Sequence, residues 1–366
     1  MRVPKTAVLA APTVACLLLA GCASAGSSAG PPRVKATSVA LSSTGVSSGG
    51  VFGRVLANPA VTVTGGQLYV AWQVNQPSAK VPRFELARAD QATGAIEATR
   101  RLVAGYPGTP LAAGGWLWLT ISTAAGEQLL RMNPAALTVA GEISMGAVSY
   151  QDLAGRGGDL AVAGGALWAA DGNRLLRVSL PAGRVTAAVP LPGAFTSVLS
   201  ASAGGTVLAV GEADDGGLGS VQRRNPVTGA LIASHPMYGV TAPRVGVIGS
   251  GTWVAEPTGM LGYIERFSTA TMTPDPATEV GGSNGIDVRV AGGLAWVTEG
   301  VNPRHDYCAD PVTGRVLGRM PLPGPASVLA ITGRYVYYQV PAPDETGSYL
   351  RRLAVPAGCL APVRTG

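Results

Sequence analysis

The sequence predicts an all-β fold: a seven-bladed β-propeller of four-stranded antiparallel blades. Two recurring signals predict it. A glycine pair, or a substitute for one, sits between two short apolar runs in seven places, roughly 40 to 50 residues apart, which is the period of a propeller blade. A second turn signal, Asp or Asn near its start and Gly at its end, recurs between these copies.

The first signal is clearest in Gly164-Gly165-Ala166-Leu167-Trp168-Ala169-Ala170-Asp171. Gly114-Gly115-Trp116-Leu117-Trp118 and Gly292-Gly293-Leu294-Ala295-Trp296 repeat it closely. Looser copies are Gly65-Gly66-Gln67-Leu68-Tyr69, Gly204-Gly205-Thr206-Val207-Leu208, Ser250-Gly251-Thr252-Trp253 and Thr332-Gly333-Arg334-Tyr335-Val336. Glycine supplies the positive φ of a two-residue hairpin, and the flanking runs are too short for helices. They read as the inner two strands of a blade. The second signal, as in Asn225-Pro226-Val227-Thr228-Gly229 and Asp310-Pro311-Val312-Thr313-Gly314, reads as the turn of the outer hairpin. On this reading the blades span 59–104, 105–147, 156–192, 196–238, 243–281, 286–322 and 326–363. The fifth is the weakest, because Phe267–Pro276 lacks a clean turn. The ring is closed either by a strand from Arg33–Leu41 or by the short, proline-bearing Leu360–Val363.

Composition agrees with such a fold. Hydrophobic residues make up 47% and charged residues only 13%, so a core is available, while 51 glycines and 28 prolines suit many short strands joined by turns. Residues 1–21 read as a signal peptide: Arg2 and Lys5 precede an apolar stretch too short to cross a bilayer. It ends in Leu19-Ala20-Gly21-Cys22, which resembles the lipobox of bacterial lipoproteins. That resemblance implies cleavage before Cys22, lipid attachment to its sulfur and a membrane anchor outside the cytoplasm. The alternative is an ordinary secretory signal with a chance cysteine. Residues 22–50, rich in Ser, Gly and Ala, read as a flexible tether, and 51–366 as the propeller. Losing the signal lowers the net charge from +6 to +4, and no basic stripe with interleaved aromatics speaks for nucleic acid. A monomer is expected. Export permits a disulfide between Cys308 and Cys359; the alternative is two separate buried thiols.

The paired Gly-Gly-x-Leu-Trp and Asp-Pro-x-Thr-Gly repeats resemble the YVTN, PQQ-like and virginiamycin-lyase-like group of β-propellers over residues 59–363. The fold hosts many unrelated activities, so the resemblance speaks for architecture and not for chemistry.

Candidate chemistry comes from position within the repeat. Three residues after Trp168, Trp253 and Trp296 stand Asp171, Glu256 and Glu299; Glu212 falls one place later in its repeat, and Trp72, Ile121 and Gln339 fill the place elsewhere. Such a series puts carboxylates around one rim, where oxygen ligands would suit Ca²⁺ or Mg²⁺. The plain alternative is a solvated strand exit. The lyases of the resembling group use a histidine general base with Mg²⁺ nearby. His305 with Glu299 and Asp306 is the one local group able to imitate this, and it does not match that family's motif. Trp118, Trp168, Trp253 and Trp296 share one repeat position and are expected between blades, whereas Trp72 and Trp116 break register and are expected as exposed contacts. The functional expectation is a membrane-anchored, non-catalytic binding or assembly module for an envelope protein, glycan or small ligand. The rival is an envelope lyase or hydrolase using the rim carboxylates and a divalent cation.

Overall fold

The computed structural model describes residues 51–360 except 54, 75–82, 124, 147–159, 172, 192–195, 203–204, 214–217, 239–243, 259–260, 276–284, 300–304, 322–326, 333 and 342–347. The signal peptide, the whole tether 22–50 with Cys22, the expected closing segment Arg33–Leu41 and, beyond Leu360, the other one lie outside this set.

The chain folds as seven antiparallel blades, a β-propeller, and the described residues hold no α-helix. Blade 1 consists of Val55–Thr64, Gln67–Gln73, Phe84–Asp90 and Ile96–Arg101. In blade 2 the first strand is broken into Tyr106–Pro107 and Leu111–Ala113, followed by Trp116–Thr123, Gly126–Met132 and Val139–Ser144. Blade 3 runs Leu160–Ala163, Ala166–Asp171, Arg174–Ser179 and Val185–Pro190. Blade 4 runs Thr196–Ala201, Leu208–Ala213, Leu218–Arg224 and Leu231–Tyr238. Blade 5 has Arg244–Ile248, Gly251–Thr258 and Leu261–Ser268, with a single Phe267–Pro274 bridge at the place of its fourth strand. Blade 6 runs Gly285–Ala291, Leu294–Glu299, His305–Ala309 and Val316–Pro321. Blade 7 runs Ser327–Ile331, Tyr335–Pro341 and Ser348–Ala354.

The fourth strand of blade 7 comes from the start of the domain. Val55 and Leu56 pair with Tyr349 and Ser348, and after a bulge between Ala57 and Ala60 the same strand becomes the first of blade 1. The closing strand is thus Val55 and Leu56, outside both segments expected for it, and a bulge hands one strand from one sheet to the next.

Both turn signals lie at one end of the ring. In four blades the inner hairpin turns on two glycines of positive φ: +56° and +76° at Gly65 and Gly66, +55° and +70° at Gly164 and Gly165, with like values at 114–115 and 292–293. This is the primed turn that matches strand twist. In blade 5 Ile248 pairs with Gly251, so the turn is Gly249-Ser250 and not Ser250-Gly251. In the outer turns, Oδ1 of Asp90, Asn133, Asn225 and Asp310 accepts bonds from the N–H groups two and three residues on. Gly94, Gly183, Gly229 and Gly314 hold the left-handed place that follows. Leu137 (φ 56°) and Met272 (φ 53°) hold it in blades 2 and 5. That conformation costs a side chain about 1–2 kcal/mol. Both side chains are buried in the cores between blades, which returns a similar amount. Blade 5 therefore makes its turn without the glycine signal.

Seven hydrophobic cores fill the seven junctions between neighbouring blades. Trp118, Trp168, Trp253 and Trp296 lie in four of them, and Tyr69 and Tyr337 hold the same strand position in two more. Trp72, expected at the surface, is buried with Tyr337 between blades 7 and 1. It stands three residues beyond Tyr69, and an odd step along a strand turns a side chain to the opposite face. Trp116 is half-buried, with the Arg131 guanidinium 4.6 Å from its ring centre.

Directly across from that aromatic position, the third strand carries Arg88, Arg131, Arg177, Arg223, Arg266, Cys308 and Arg352 in blades 1 to 7. Five of these arginines reach the outer turn of the next blade. Arg88 donates to the Ala135 carbonyl (2.7 Å), Arg131 to Pro181 (3.1 Å), Arg223 to Ala270 (3.1 Å), Arg266 to Pro311 (2.9 Å), and Arg352 to Gln91 and Ala92 (2.7 and 2.8 Å). Between blades 3 and 4 the Trp168 indole N–H does this instead, donating to Pro226 at 3.0 Å.

Two outcomes are expected. Gly164 and Gly165 share a positive φ, but a Cβ on Gly164 would lie 2.2 Å from the Pro226 carbonyl oxygen while one on Gly165 meets nothing. Gly165→Ala should cost about 1–2 kcal/mol, and Gly164→Ala a further ~1–3 kcal/mol, read as urea midpoints at unchanged slope. The second concerns acid. Hydrogen bonds from Thr93, side chain and backbone, hold Asp90 below the ordinary carboxylate value, and the Thr313 backbone N–H does so for Asp310. A depressed pKa gives stability that is complete above the unfolded value and is lost as pH falls through the folded one. Replacing both by Asn, as nature has it at Asn133 and Asn225, should keep the turns and flatten the loss of melting temperature below about pH 4.

Candidate functional site

The end of the ring opposite the turns is where second strands finish and where the connections to third strands and to following blades depart. Sheet register defines which residues are equivalent there. Three places beyond the aromatic position stand Trp72, Ile121, Asp171, Glu212, Glu256, Glu299 and Val340 in blades 1 to 7. Glu212 joins this series because Ala209, opposite Arg223, holds the aromatic position of blade 4. In blade 7 Tyr337, opposite Arg352, holds it, so the equivalent residue is Val340 and not Gln339. Carboxylates thus occupy one register position in four consecutive blades.

Asp171 is the member whose side chain is defined. It is 3% exposed, and both oxygens are engaged. Oδ1 accepts the Gly146 N–H at 2.8 Å, and Oδ2 accepts from Nη2 of Arg174, the residue across the b-to-c hairpin. Gly146 follows the last strand of blade 2, so this carboxylate ties blade 2 to blade 3. The odd step from Trp168 explains it: Trp168 faces blade 4 and Asp171 faces back to blade 2. The side chains of Glu212, Glu256, Glu299 and His305 lie outside the described set. Asp306 is buried on the third strand of blade 6, opposite Thr298. It acts on Tyr338 of blade 7, whose phenol burial pushes up to about 12; Arg351 opposes and Asp306 reinforces that rise. Asp306 therefore belongs to the junction between blades 6 and 7. Among the described residues no three His, Cys, Asp or Glu side chains group as a metal site.

The Cys308 and Cys359 sulfurs lie 2.10 Å apart, with Cα atoms 5.7 Å apart. Cys308 is on the third strand of blade 6, in the outer hairpin, and Cys359 ends the 3-10 turn Ala357–Cys359 that follows blade 7. The pair spans the one junction whose third strand lacks the arginine.

Along the axis the first strands enclose a channel of about 980 Å³. Its wall is layered. One level holds Val63, Ala112, Val162, Ala201, Val247, Val290 and Ile331, one aliphatic residue per blade. One step toward the loop end, Thr62, Ser200 and Arg289 share a level, each opposite the aromatic position of its blade. Arg289 is the charged residue among those described along the wall, and its Nη1 donates to the Leu329 carbonyl of blade 7 at 2.6 Å.

No protein-family model matches this chain, and no curated protein matches it in sequence. Solved structures do match. BamB from Moraxella catarrhalis aligns at TM-score 0.50 and 12% identity, over 82% of this chain and 95% of that one. Kuenenia stuttgartiensis hydrazine synthase aligns at 0.56 and 13%, over 82% and 97%. A prolyl endopeptidase aligns at 0.53 and 14%, over 82% of this chain and 49% of its own length. The likeness is one of fold. The β-propeller read from the glycine repeats stands; at these identities it carries no residue of any neighbour's site onto this chain.

The third-strand arginines were not anticipated, although their signal is readable. Arg88-Ala89-Asp90, Arg131-Met132-Asn133, Arg177-Val178-Ser179, Arg223-Arg224-Asn225 and Arg266-Phe267-Ser268 each place Arg two residues before the outer turn.

Removing the Asp171 carboxylate leaves the buried Gly146 N–H without its acceptor, so Asp171→Ala should destabilise by about 1–3 kcal/mol. Asp171→Asn, which keeps an acceptor, should cost less, as thermal melts of the two variants would register.

Proposed function

We propose that this chain is an exported propeller, lipid-anchored at Cys22 on the outer side of the cytoplasmic membrane. In this reading it serves as a non-catalytic binding or assembly module of the envelope. Its partner, an envelope protein, glycan or small ligand, is met at the loop end of the ring. The lipobox Leu19-Ala20-Gly21-Cys22 supports the anchor, and the facing Cys308 and Cys359 suit an oxidising compartment in which they form a disulfide. The YVTN and PQQ-like likeness of the repeats agrees with this placement.

The observation that carries the reading is the asymmetry of the two ends. One is closed by tight turns bonded to their neighbours; the other sends out every connection between second and third strands from a rigid base. Recognition residues concentrate on loops positioned in this way. Asp171, engaged in joining two blades, is a scaffold carboxylate here rather than an acid, base or metal ligand.

The full chain, expressed in a bacterium that processes lipoproteins, should partition with membranes. Its intact mass should match cleavage before Cys22, acylation of that residue and two hydrogens fewer than the dithiol. A photo-crosslinker at Val74, exposed at the loop end, should then trap an envelope component that one at Gly115 does not. Secretion without lipid removes the anchor from the reading. Equal trapping from both ends removes the loop-end partner, and cation-dependent turnover of an envelope substrate replaces the module by an enzyme.

A further inference from the structure

We propose that the turn end of the ring is a seat for an anionic phospholipid surface, on which the tips of the outer turns rest while neighbouring arginines meet the headgroups. The inference rests on the lipid anchor of the reading above and adds to it the face by which the anchored propeller meets its membrane. The middle residues of the outer turns are Ala92, Ala135, Pro181, Val227, Ala270 and Val312, one in each of blades 1 to 6. All six are exposed and none is charged. Val139, Val185, Leu231 and Val316, which open the fourth strands just behind them, are exposed too, with Ile232 next in line. Seven of the ten large hydrophobics exposed among the described residues therefore lie at this end, which sets it apart from the loop end.

Three further observations select lipid as the occupant. The first is where the chain comes from. The Val51 N–H donates to the Gly94 carbonyl at 3.0 Å, so the segment leading back to Cys22 joins the propeller at the outer turn of blade 1. The second is that the tips can leave water without stranding backbone groups, which is costly where no partner is at hand. In each of the six turns the carbonyl of the middle residue, or of the one before it, already accepts a bond from an arginine or from Trp168. The N–H groups of Ala92, Ala135, Val227 and Val312 are held by the Asp or Asn that starts the turn. The third is charge. Arg184 and Arg315 directly follow the turns of blades 3 and 6, Arg334 lies in the inner turn of blade 7, and all three are exposed. The carboxylates at this end are engaged: Asp90 and Asp310 by their own turns, and Glu97 by Arg88 at 3.0 Å. Arginines beside an anionic bilayer are drawn in by its surface potential, and apolar tips gain by entering the interface. Equivalent tips repeated around the ring suit a broad surface better than a local partner.

Photo-crosslinking of the acylated protein reconstituted in vesicles tests it, with benzoylphenylalanine placed either at Val227 or at Val74 of the loop end. In vesicles of phosphatidylglycerol and phosphatidylcholine in equal parts, the Val227 probe should give phospholipid adducts about fivefold more often than the Val74 probe. Phosphatidylcholine alone, or Arg184→Gln combined with Arg315→Gln, should lower the Val227 yield about threefold and leave the Val74 yield unchanged. Melting temperature confirms that the variants are folded. Equal yields at the two probes, a Val227 yield indifferent to lipid charge and to the arginines, or a Val227 adduct with a second copy of the chain would each overturn the proposal. Intact mass reads the anchor separately. If the chain is unacylated the anchor falls, and sedimentation of that chain with the same vesicles decides this inference: binding that needs phosphatidylglycerol upholds it, and no binding overturns it.

Discussion

The ring depends on how each blade grips the next at its outer rim. Apolar cores fill every junction, but such packing is tolerant of sliding; a hydrogen bond to a fixed carbonyl is not. The third-strand arginine supplies that bond at five junctions. Guanidinium suits the task because its planar fork reaches a turn carbonyl while remaining partly hydrated. A hydrogen bond from a charged donor contributes about 1.5–3 kcal/mol. The two exceptions are instructive. Between blades 3 and 4 the tryptophan itself makes the bond, while Arg177 donates within its own blade to Thr186 and the Gly164 carbonyl. Between blades 6 and 7 the arginine position is Cys308, and its contact with the following turn is through sulfur to Cys359. The same mechanical connection is thus made three ways, by guanidinium, by indole and by cysteine pair.

This places the cysteine pair in a structural role that its separation in sequence does not suggest. A closed circle of blades has one seam where the chain's two ends meet, here the two-residue pairing of Val55 and Leu56 with Tyr349 and Ser348. Opening that seam requires blade 7 to move, and blade 7 is tied on one side by Arg352 to the turn of blade 1 and on the other by Cys359 to blade 6. The 3-10 turn Ala357–Cys359 follows the third strand of blade 7, whose fourth strand is supplied by Val55 and Leu56, and its cysteine holds that turn to blade 6.

Reading the sequence succeeded where backbone conformation forces residue choice and failed where a side chain's direction decides the outcome. Glycine pairs marked the hairpins because two consecutive positive φ values admit little else. The blade 5 turn was obscured because Met272 takes the left-handed place and recovers the cost by burial, which no local pattern reveals. Seam closure was hidden for a different reason: Val55–Thr64 reads as one strand, and only the bulge at Ala57–Ala60 divides it between two sheets. Trp72 and Asp171 share a single error. Counting three residues from the aromatic fixed their height along the axis correctly, but an odd count reverses the face. Trp72 consequently lies against blade 7, and Asp171 against blade 2, where a rim position had been expected. Height was legible; facing needed the sheet.

The same distinction bears on what kind of site the molecule can offer. A carboxylate series at constant height resembles a ligand ring in projection, yet Asp171, its described member, faces a neighbouring blade and shows how such a group becomes a fastening. Axial positions differ, since the first strands and the turns beside them line the channel, and half-buried residues such as Val63, Val162 and Ile331 pack on one side against a core between blades and on the other border the axis. Arg289 reaches sideways to the Leu329 carbonyl. Chemistry directed at a ligand in this fold therefore has two addresses, the axis and the departing loops. The aliphatic residues of the axial wall belong in part to the scaffold as well: Val63, Ala112, Val162, Ala201 and Ile331 each pack against a core between blades, and the apolar area removed from water on that side stabilises the junction whatever occupies the axis.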